Sequence, residues 1–302
     1  MPVGRSRTED TGSARAGIAF AVTAYGLWGL LPVYWKLLGD VPAHEILCHR
    51  MVWSLAFVGA LLALRRDWRW LPAIVARPRL LLIFLCTGSI LAVNWLTYIW
   101  GVNTGQIVET SLGYFINPLV YVLLGVIVLR ERMRRAQVVA VVLAGIGVLY
   151  LAVLHGSFPW IALTLATSFA AYGLIRKIAP LGAVHGLALE TMALFPFATA
   201  YLLHASLHGR GAFGTGPPAA TVLLFLSGSV TAIPLLLFTA GARRLPLVTV
   251  GILQYIAPTL QLLLGVCVYG ERFSGARAVG FSFVWCALLI YTVEGLARWR
   301  RG

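Results

Sequence analysis

Few side chains in this 302-residue sequence could do chemistry away from water, and three of them sit together: Glu45, His49 and Arg50, inside an otherwise apolar run. On a helix, Glu45 and His49 lie four apart on one face, and Arg50 turns about 100° from His49. An ionisable group in hydrocarbon costs at least about 2.5 kcal/mol, so each needs a partner or a purpose. The Arg50 guanidinium could grip a substrate carboxylate or phosphate through two parallel hydrogen bonds. Equally, it could form a structural ion pair with Glu45 or with Glu190, or reach out to the interface. An imidazole, whose ordinary pKa is about 6.5, could relay protons between His49 and Glu45; the alternative is a hydrogen-bonded histidine at the interface.

The remaining polar groups in apolar runs are amides and aromatics. Asn94, Asn117, Gln254 and Gln261 could orient a polar ligand or bind neighbouring helices together. Trp28, Tyr34, Trp35, Trp95, Tyr98, Tyr114, Tyr255 and Trp285 could line a cavity for amphipathic or cationic solutes, or simply pack against lipid. Trp95 and Tyr98 share a helix face, with Lys36 expected near its end. No Gly-x-x-x-x-Gly-Lys-Ser/Thr loop and no His-Glu-x-x-His motif occurs, so no catalytic residue, metal site or cofactor is expected. Cys48, Cys86, Cys267 and Cys286 all fall inside apolar runs, with neither metal-ligand spacing nor an oxidising setting.

Elements able to position these groups follow from composition. The chain is 60% hydrophobic and only 11% charged, against roughly 25% charged in soluble domains, and its mean hydropathy is +0.86. Lipid must therefore solvate most of it. Stretches of about twenty residues, enough to cross the bilayer core, fall near 17–36, 45–64, 80–100, 110–129, 136–154, 158–175, 183–203, 219–239, 247–269 and 276–296. The expected fold is an all-α integral membrane protein of ten transmembrane helices. A disordered cytoplasmic leader, 1–16, precedes them and a cytoplasmic tail, 297–302, follows.

The formal charge of +14 is a topology signal. Arg65, Arg66, Arg69, Arg77 and Arg79, with Arg130, Arg132, Arg134 and Arg135, crowd two loops, whereas the alternate loops hold only Lys36, Arg210, Arg272 and Arg277. Basic loops stay inside, which puts both termini in the cytoplasm. Nucleic-acid binding is the weaker explanation of the charge, because no one face collects it, and no nucleic-acid partner is expected.

The sequence also repeats at an offset of 140: Gly88-Ser89 matches Gly228-Ser229, Gly101 matches Gly241, Pro118 matches Pro258, and Glu131-Arg132 matches Glu271-Arg272. Each half, 17–154 and 158–296, would hold five spans, and an odd number inserts the second copy upside down. The charges agree, since Arg130, Arg134 and Arg135 correspond to Gly270, Ser274 and Gly275. Two inverted five-helix repeats around a midplane site suit alternating access. Pro118 and Pro258 each remove a backbone hydrogen bond from a span, and could be paired hinges or static bends. The two Glu-Arg pairs are assigned to architecture.

Particular strings resemble a known family: Tyr25-Gly26-Leu27-Trp28-Gly29, Glu45-Ile46-Leu47 with His49-Arg50, Asn94-Trp95, Gly113-Tyr114-Phe115-Ile116-Asn117-Pro118, and Gln254-Tyr255-Ile256-Ala257-Pro258. The chain is similar to the drug/metabolite transporter superfamily, to its EamA-type repeat, and in detail to the RarD group of permeases. The resemblance implies a bacterial inner-membrane permease, not an enzyme, that exports a small-molecule metabolite or drug.

A secondary transporter is therefore expected, with proton coupling through Glu45 and His49 as one form of it. A non-transporting membrane scaffold or receptor, or an intramembrane enzyme, are the alternatives. Substrate identity, coupling ion, direction and oligomeric state are not encoded in these features. With the native cysteines replaced, an impermeant thiol reagent applied to intact cells should label Ser274→Cys and leave Arg134→Cys unlabelled. Labelling of both from the same side would contradict the inversion.

Overall fold

A computed structural model describes residues 7–130, 133–154, 158–178, 181–242, 244–245 and 247–299. Its helices are α1 (Arg7–Lys36), α2 (Ala43–Leu64), α3 (Trp70–Val75), α4 (Pro78–Asn103), α5 (Ile107–Leu129), α6 (Arg135–Leu154) and α7 (Trp160–Ile178). They continue as α8 (Ala183–Leu207), α9 (Pro218–Ala242), α10 (Leu247–Leu253), α11 (Ile256–Leu263) and α12 (Gly275–Trp299), with a π-helical turn over Leu264–Val268 after α11. Helices satisfy their own backbone groups, as hydrocarbon demands. Eight are long and apolar enough to cross a membrane, and Trp160–Arg176 and Ile256–Val268 are shorter apolar helices. Large apolar side chains such as Leu64, Leu149, Phe197 and Leu289 point outward.

Local chemistry sets the starts and stops. Pro78 and Pro218 open α4 and α9, where a missing N–H costs nothing. Gly105, at φ +76°, turns the chain between α4 and α5 through a conformation that Gly adopts most cheaply.

The helix limits depart from expectation in three places. α1 begins at Arg7, so residues 7–16 are helical rather than a disordered leader; no Pro interrupts them, and each added residue extends an existing helix cheaply. α3 stands in a segment expected to be loop. The expected span 247–269 is broken at Gln254–Tyr255 into α10 and α11. Pro258, lacking an N–H, cannot serve the Gln254 carbonyl, and Tyr255 N–H turns to the Ile252 carbonyl at 3.2 Å. Its repeat partner Pro118 lies in an unbroken α5, so only the second copy is interrupted there.

Cross-links sort the connections to two ends. At one end, Lys36 Nζ donates to the Asn103 carbonyl at 3.4 Å and lies 5.6 Å from the Tyr269 ring centre. There too Glu271 accepts from Ile107 N and Val108 N, at 2.7 and 2.8 Å, and Glu109 from Ile161 N at 3.0 Å. At the opposite end, His185 meets Asp67 at 2.8 Å, Arg134 meets Glu294 at 3.0 Å, and Arg244 lies over Phe20. The Glu271 contacts make it a cap for α5, an architectural role; Glu131 and Arg132 lie outside the described residues.

Glycines recurring at the 140 offset sit where helices touch. A Cβ on Gly228 would fall 2.2 Å from the Trp53 carbonyl carbon, and one on Gly88 would fall 3.2 Å from the Glu190 carbonyl oxygen. Gly228→Ala should therefore force α9 from α2 and destabilise by about 1–3 kcal/mol. Gly145→Ala, with nothing within 4 Å of the new carbon, should be neutral or stabilising by up to about 1 kcal/mol. Thermal melts in detergent compare them, and equal melting points would contradict the close approach.

Candidate functional site

Arg50 lies in the second turn of α2 and is 4% exposed. Two indoles from other helices cover it: its Cζ is 3.7 Å from the Trp95 ring centre and 5.4 Å from that of Trp35. Trp35 comes from α1 and Trp95 from α4, so packing of α1, α2 and α4 builds the cage. Tyr114, Tyr98 and Tyr34 lie within electrostatic reach of the guanidinium. The Tyr98 and Tyr114 rings meet edge to face, 5.5 Å apart, and Tyr34 is anchored by its hydroxyl, which donates to the Leu223 carbonyl.

Neither expected ion-pair partner reaches Arg50. Among the described residues no carboxylate lies within salt-bridge distance of it; Arg134 pairs with Glu294 and Arg176 with Glu190, while the His49 and His185 rings approach Glu45 and Asp67. Its Nε is buried without a hydrogen-bond partner. The expected meeting of Arg50 with Glu190 is thus corrected. Glu190 faces α4 and α7, where Arg176 Nε stands 3.7 Å away, Thr87 Oγ1 donates at 2.8 Å and Tyr172 OH donates at 3.3 Å.

Glu45 and His49 serve the edge of the bundle. Glu45 accepts from Ala212 N at 2.6 Å, tying α2 to the α8–α9 connection. His49 Nε2 is 3.9 Å from Glu45, too far for a hydrogen bond, and its ring stacks on Phe213 at 5.0 Å. A direct proton hop between the two is not the geometry found, because a backbone N–H and an aromatic face hold them separately.

Asn94 is buried beside the cage, its Nδ2 donating to the Leu165 carbonyl at 3.0 Å and to Ser168 Oγ at 2.9 Å, while its Oδ1 is buried without a partner. Asn117 also keeps a buried Oδ1 unpartnered. Gln254 and Tyr255 are half-buried at the α10–α11 turn, where Tyr255 packs on the core shared by α5, α6, α7, α11 and α12. Gln261 Nε2 donates to the Trp28 carbonyl at 3.2 Å, which makes it helix glue. Trp285 meets Phe115 and Phe281 edge to face, with ring centres 6.3 and 5.8 Å away, and is itself exposed.

Thr87, Tyr172 and Arg176 complete the cluster around Glu190 and do not stand out as site residues in the sequence. Tyr172 and Arg176, four apart at the end of an apolar run, share a helix face, and that spacing was the available signal. Among the described residues no three His, Cys, Asp or Glu side chains gather as a metal would need. What the cage offers is a fixed cation walled by aromatic faces and ringed by phenols, a setting for a small anion with an apolar or planar part.

Comparison with known proteins agrees with a membrane carrier. Residues 15–153 match the EamA-like transporter family. Protein RarD of Streptomyces exfoliatus is 50% identical over 288 residues, covering 95% of this chain and 91% of its own. Uncharacterized transporter YojE of Bacillus subtilis is 46% identical over 294 residues, covering 95% and 96%. A crystal structure only 20% identical superposes on 93% of this chain and 98% of its own with a TM-score of 0.61, a likeness of fold alone. At such identity over nearly its whole length, the chain belongs to the EamA-like transporter family and is a RarD-like, multi-pass membrane transporter.

Proposed function

We propose that the protein is a secondary transporter that carries a small anionic metabolite or drug, a carboxylate or phosphate, by alternating access, with Arg50 as its binding cation. The unpaired, buried guanidinium carries this reading. Burying an ion costs several kcal/mol, of which two aromatic faces return about 2 kcal/mol. A bound anion supplies the rest, and Trp35, Trp95, Tyr98 and Tyr114 give its apolar part a surface.

Ten crossings in two inverted repeats fit this mechanism. In support, α2 and α8, α4 and α9, α5 and α10, and α6 and α12 begin at Ala43 and Ala183, Pro78 and Pro218, Ile107 and Leu247, and Arg135 and Gly275, each pair 140 residues apart. Opposite placement of the equivalent starts, Glu45 beside the α8–α9 connection and His185 beside Asp67, is what inversion requires. The shorter apolar helices supply the remaining two crossings. Cytoplasmic termini are favoured by the arginine-rich loops. Under this reading the break before Pro258 is where the second repeat bends, and the straight α5 is its counterpart in the other copy.

Flux from proteoliposomes tests the proposal. A panel of radiolabelled carboxylates and phosphates, each beside its uncharged amide or alcohol counterpart, should contain anions that wild-type protein releases and counterparts that it does not. Arg50→Gln should slow that release at least about tenfold, the weight of one charge-assisted hydrogen bond. Arg50→Lys should rescue it only partly, because an ammonium lacks the planar fork. Wild-type flux in Arg50→Gln would remove the proposal.

A further inference from the structure

Among the described residues, the acidic side chains set inside the bundle or at its helix starts differ in the partners they receive. Glu45 accepts from Ala212 N, Glu109 from Ile161 N, and Glu271 from Ile107 N and Val108 N. Each is held by backbone N–H groups, which can only donate and so have no way to receive a proton from a carboxyl group. Glu190, 1% exposed, has only side-chain partners, from α4 and α7.

Those partners can serve it charged or neutral. Thr87 Oγ1 lies 2.8 Å from Glu190 Oε1 and 3.2 Å from the Phe84 carbonyl, and a hydroxyl has one proton to give. Beside a carboxylate, Thr87 donates to Glu190. Once Glu190 is protonated, its Oε1–H donates to Thr87 Oγ1, and the Thr87 proton turns to Phe84. Tyr172 OH, 3.3 Å from Oε2, donates in either state. Arg176, at 3.7 Å, is beyond hydrogen-bond distance; its Nη2 donates instead to the Gly182 carbonyl at 3.0 Å, and its Cζ lies 5.2 Å from the Phe84 ring centre. The cation is therefore held in place without relying on the carboxylate.

Among the described residues, the other elements packed against this part of α8 bring apolar side chains. α2 and α9 meet this part of α8 with Val58, Leu62 and Ala232, α3 meets it with Ile74, and on α8 itself His185 is engaged by Asp67. Arg50 makes no ion pair with Glu190.

We propose that Glu190 is a proton-binding site, and that its occupancy is transmitted to the Arg50 cage through α4 and α7. The connection is physical. α4 carries Thr87 and, two turns later, Asn94 and Trp95; Asn94 is bonded to α7 at Leu165 and Ser168; and α7 carries Tyr172 and Arg176. A proton that rearranges Thr87 acts on the same helix pair that presents Trp95 to the guanidinium. The role in coupling to cargo rests on the transporter reading, but the proton itself is measurable without any cargo.

Infrared difference spectra of the purified full-length protein, recorded as the pH is lowered, should show a carboxylic-acid carbonyl band growing in. That band should be missing in Glu190→Gln and retained in Glu45→Gln. In Thr87→Val it should persist at the frequency of a carboxyl group that has lost a hydrogen-bond partner. In 5-fluorotryptophan protein, the Trp95 fluorine resonance, assigned through Trp95→Phe, should shift with the same midpoint and cease to titrate in Glu190→Gln. A band unchanged by Glu190→Gln would overturn the site, and a Trp95 resonance that titrates without Glu190 would overturn the transmission. If Glu190→Gln does not fold, Thr87→Val decides, an unmoved band counting against. Failure of anion transport would leave both signals in place, so the two proposals fall separately.

Discussion

A guanidinium that cannot lose its charge is held in a membrane interior with no carboxylate beside it, and the arrangement of the helices around it follows from that. Arg50 is tolerable there because Trp95 and Trp35 present π-faces to it and the phenols of Tyr34, Tyr98 and Tyr114 stand nearby. Those residues come from α1, α4 and α5, so the cage exists only when the first half of the chain is assembled. An ion pair would have been the simpler way to stabilise the charge. Its absence leaves aromatic faces as the groups that stabilise the charge, at a cost in stability.

The ends of the bundle are closed by different physics. Where α1 meets α2 and α4 meets α5, carboxylates cap helix starts and loops: Glu271 on α5, Glu109 on α7, Glu45 on the α8–α9 connection. At Glu271 and Glu109 such bonds set an acidic side chain at the positive end of a helix, a favourable arrangement. The opposite end relies on side-chain pairs that water reaches, His185 with Asp67 and Arg134 with Glu294, which are worth little individually. The two ends therefore differ in what holds them together.

Much of this was legible in the sequence, for a specific reason. Hydrocarbon allows few backbone solutions, so runs of about twenty apolar residues identify helices, and α2, α4, α5, α6, α8, α9 and α12 fall where those runs do. Arg50 stood out because a charge in such a run is costly. The partnerships were another matter. Lipid-facing and core-facing positions are both apolar here, so periodicity does not say which way a side chain turns, and Glu190 was aimed at Arg50 when it faces Arg176, Thr87 and Tyr172. Short polar hydroxyls such as Thr87 carry no sequence signal of their own. The broken segment around Gln254 depended on a choice between kink and break that Pro258 alone does not make, since Pro118 leaves α5 whole.

The solitude of Arg50 is best tested by looking at its guanidinium directly. In nitrogen-15 arginine-labelled protein, the Arg50 Nε–H resonance, assigned through Arg50→Lys, should be unmoved by Glu45→Gln and by Glu190→Gln at a fixed pH at which both carboxyl groups are ionised. It should shift and exchange more slowly with water when a transported anion is added. A resonance that moves when either carboxylate is neutralised, and stays still when anions are added, would mean that Arg50 is a structural partner of this protein's own acids and not the cation that holds its cargo.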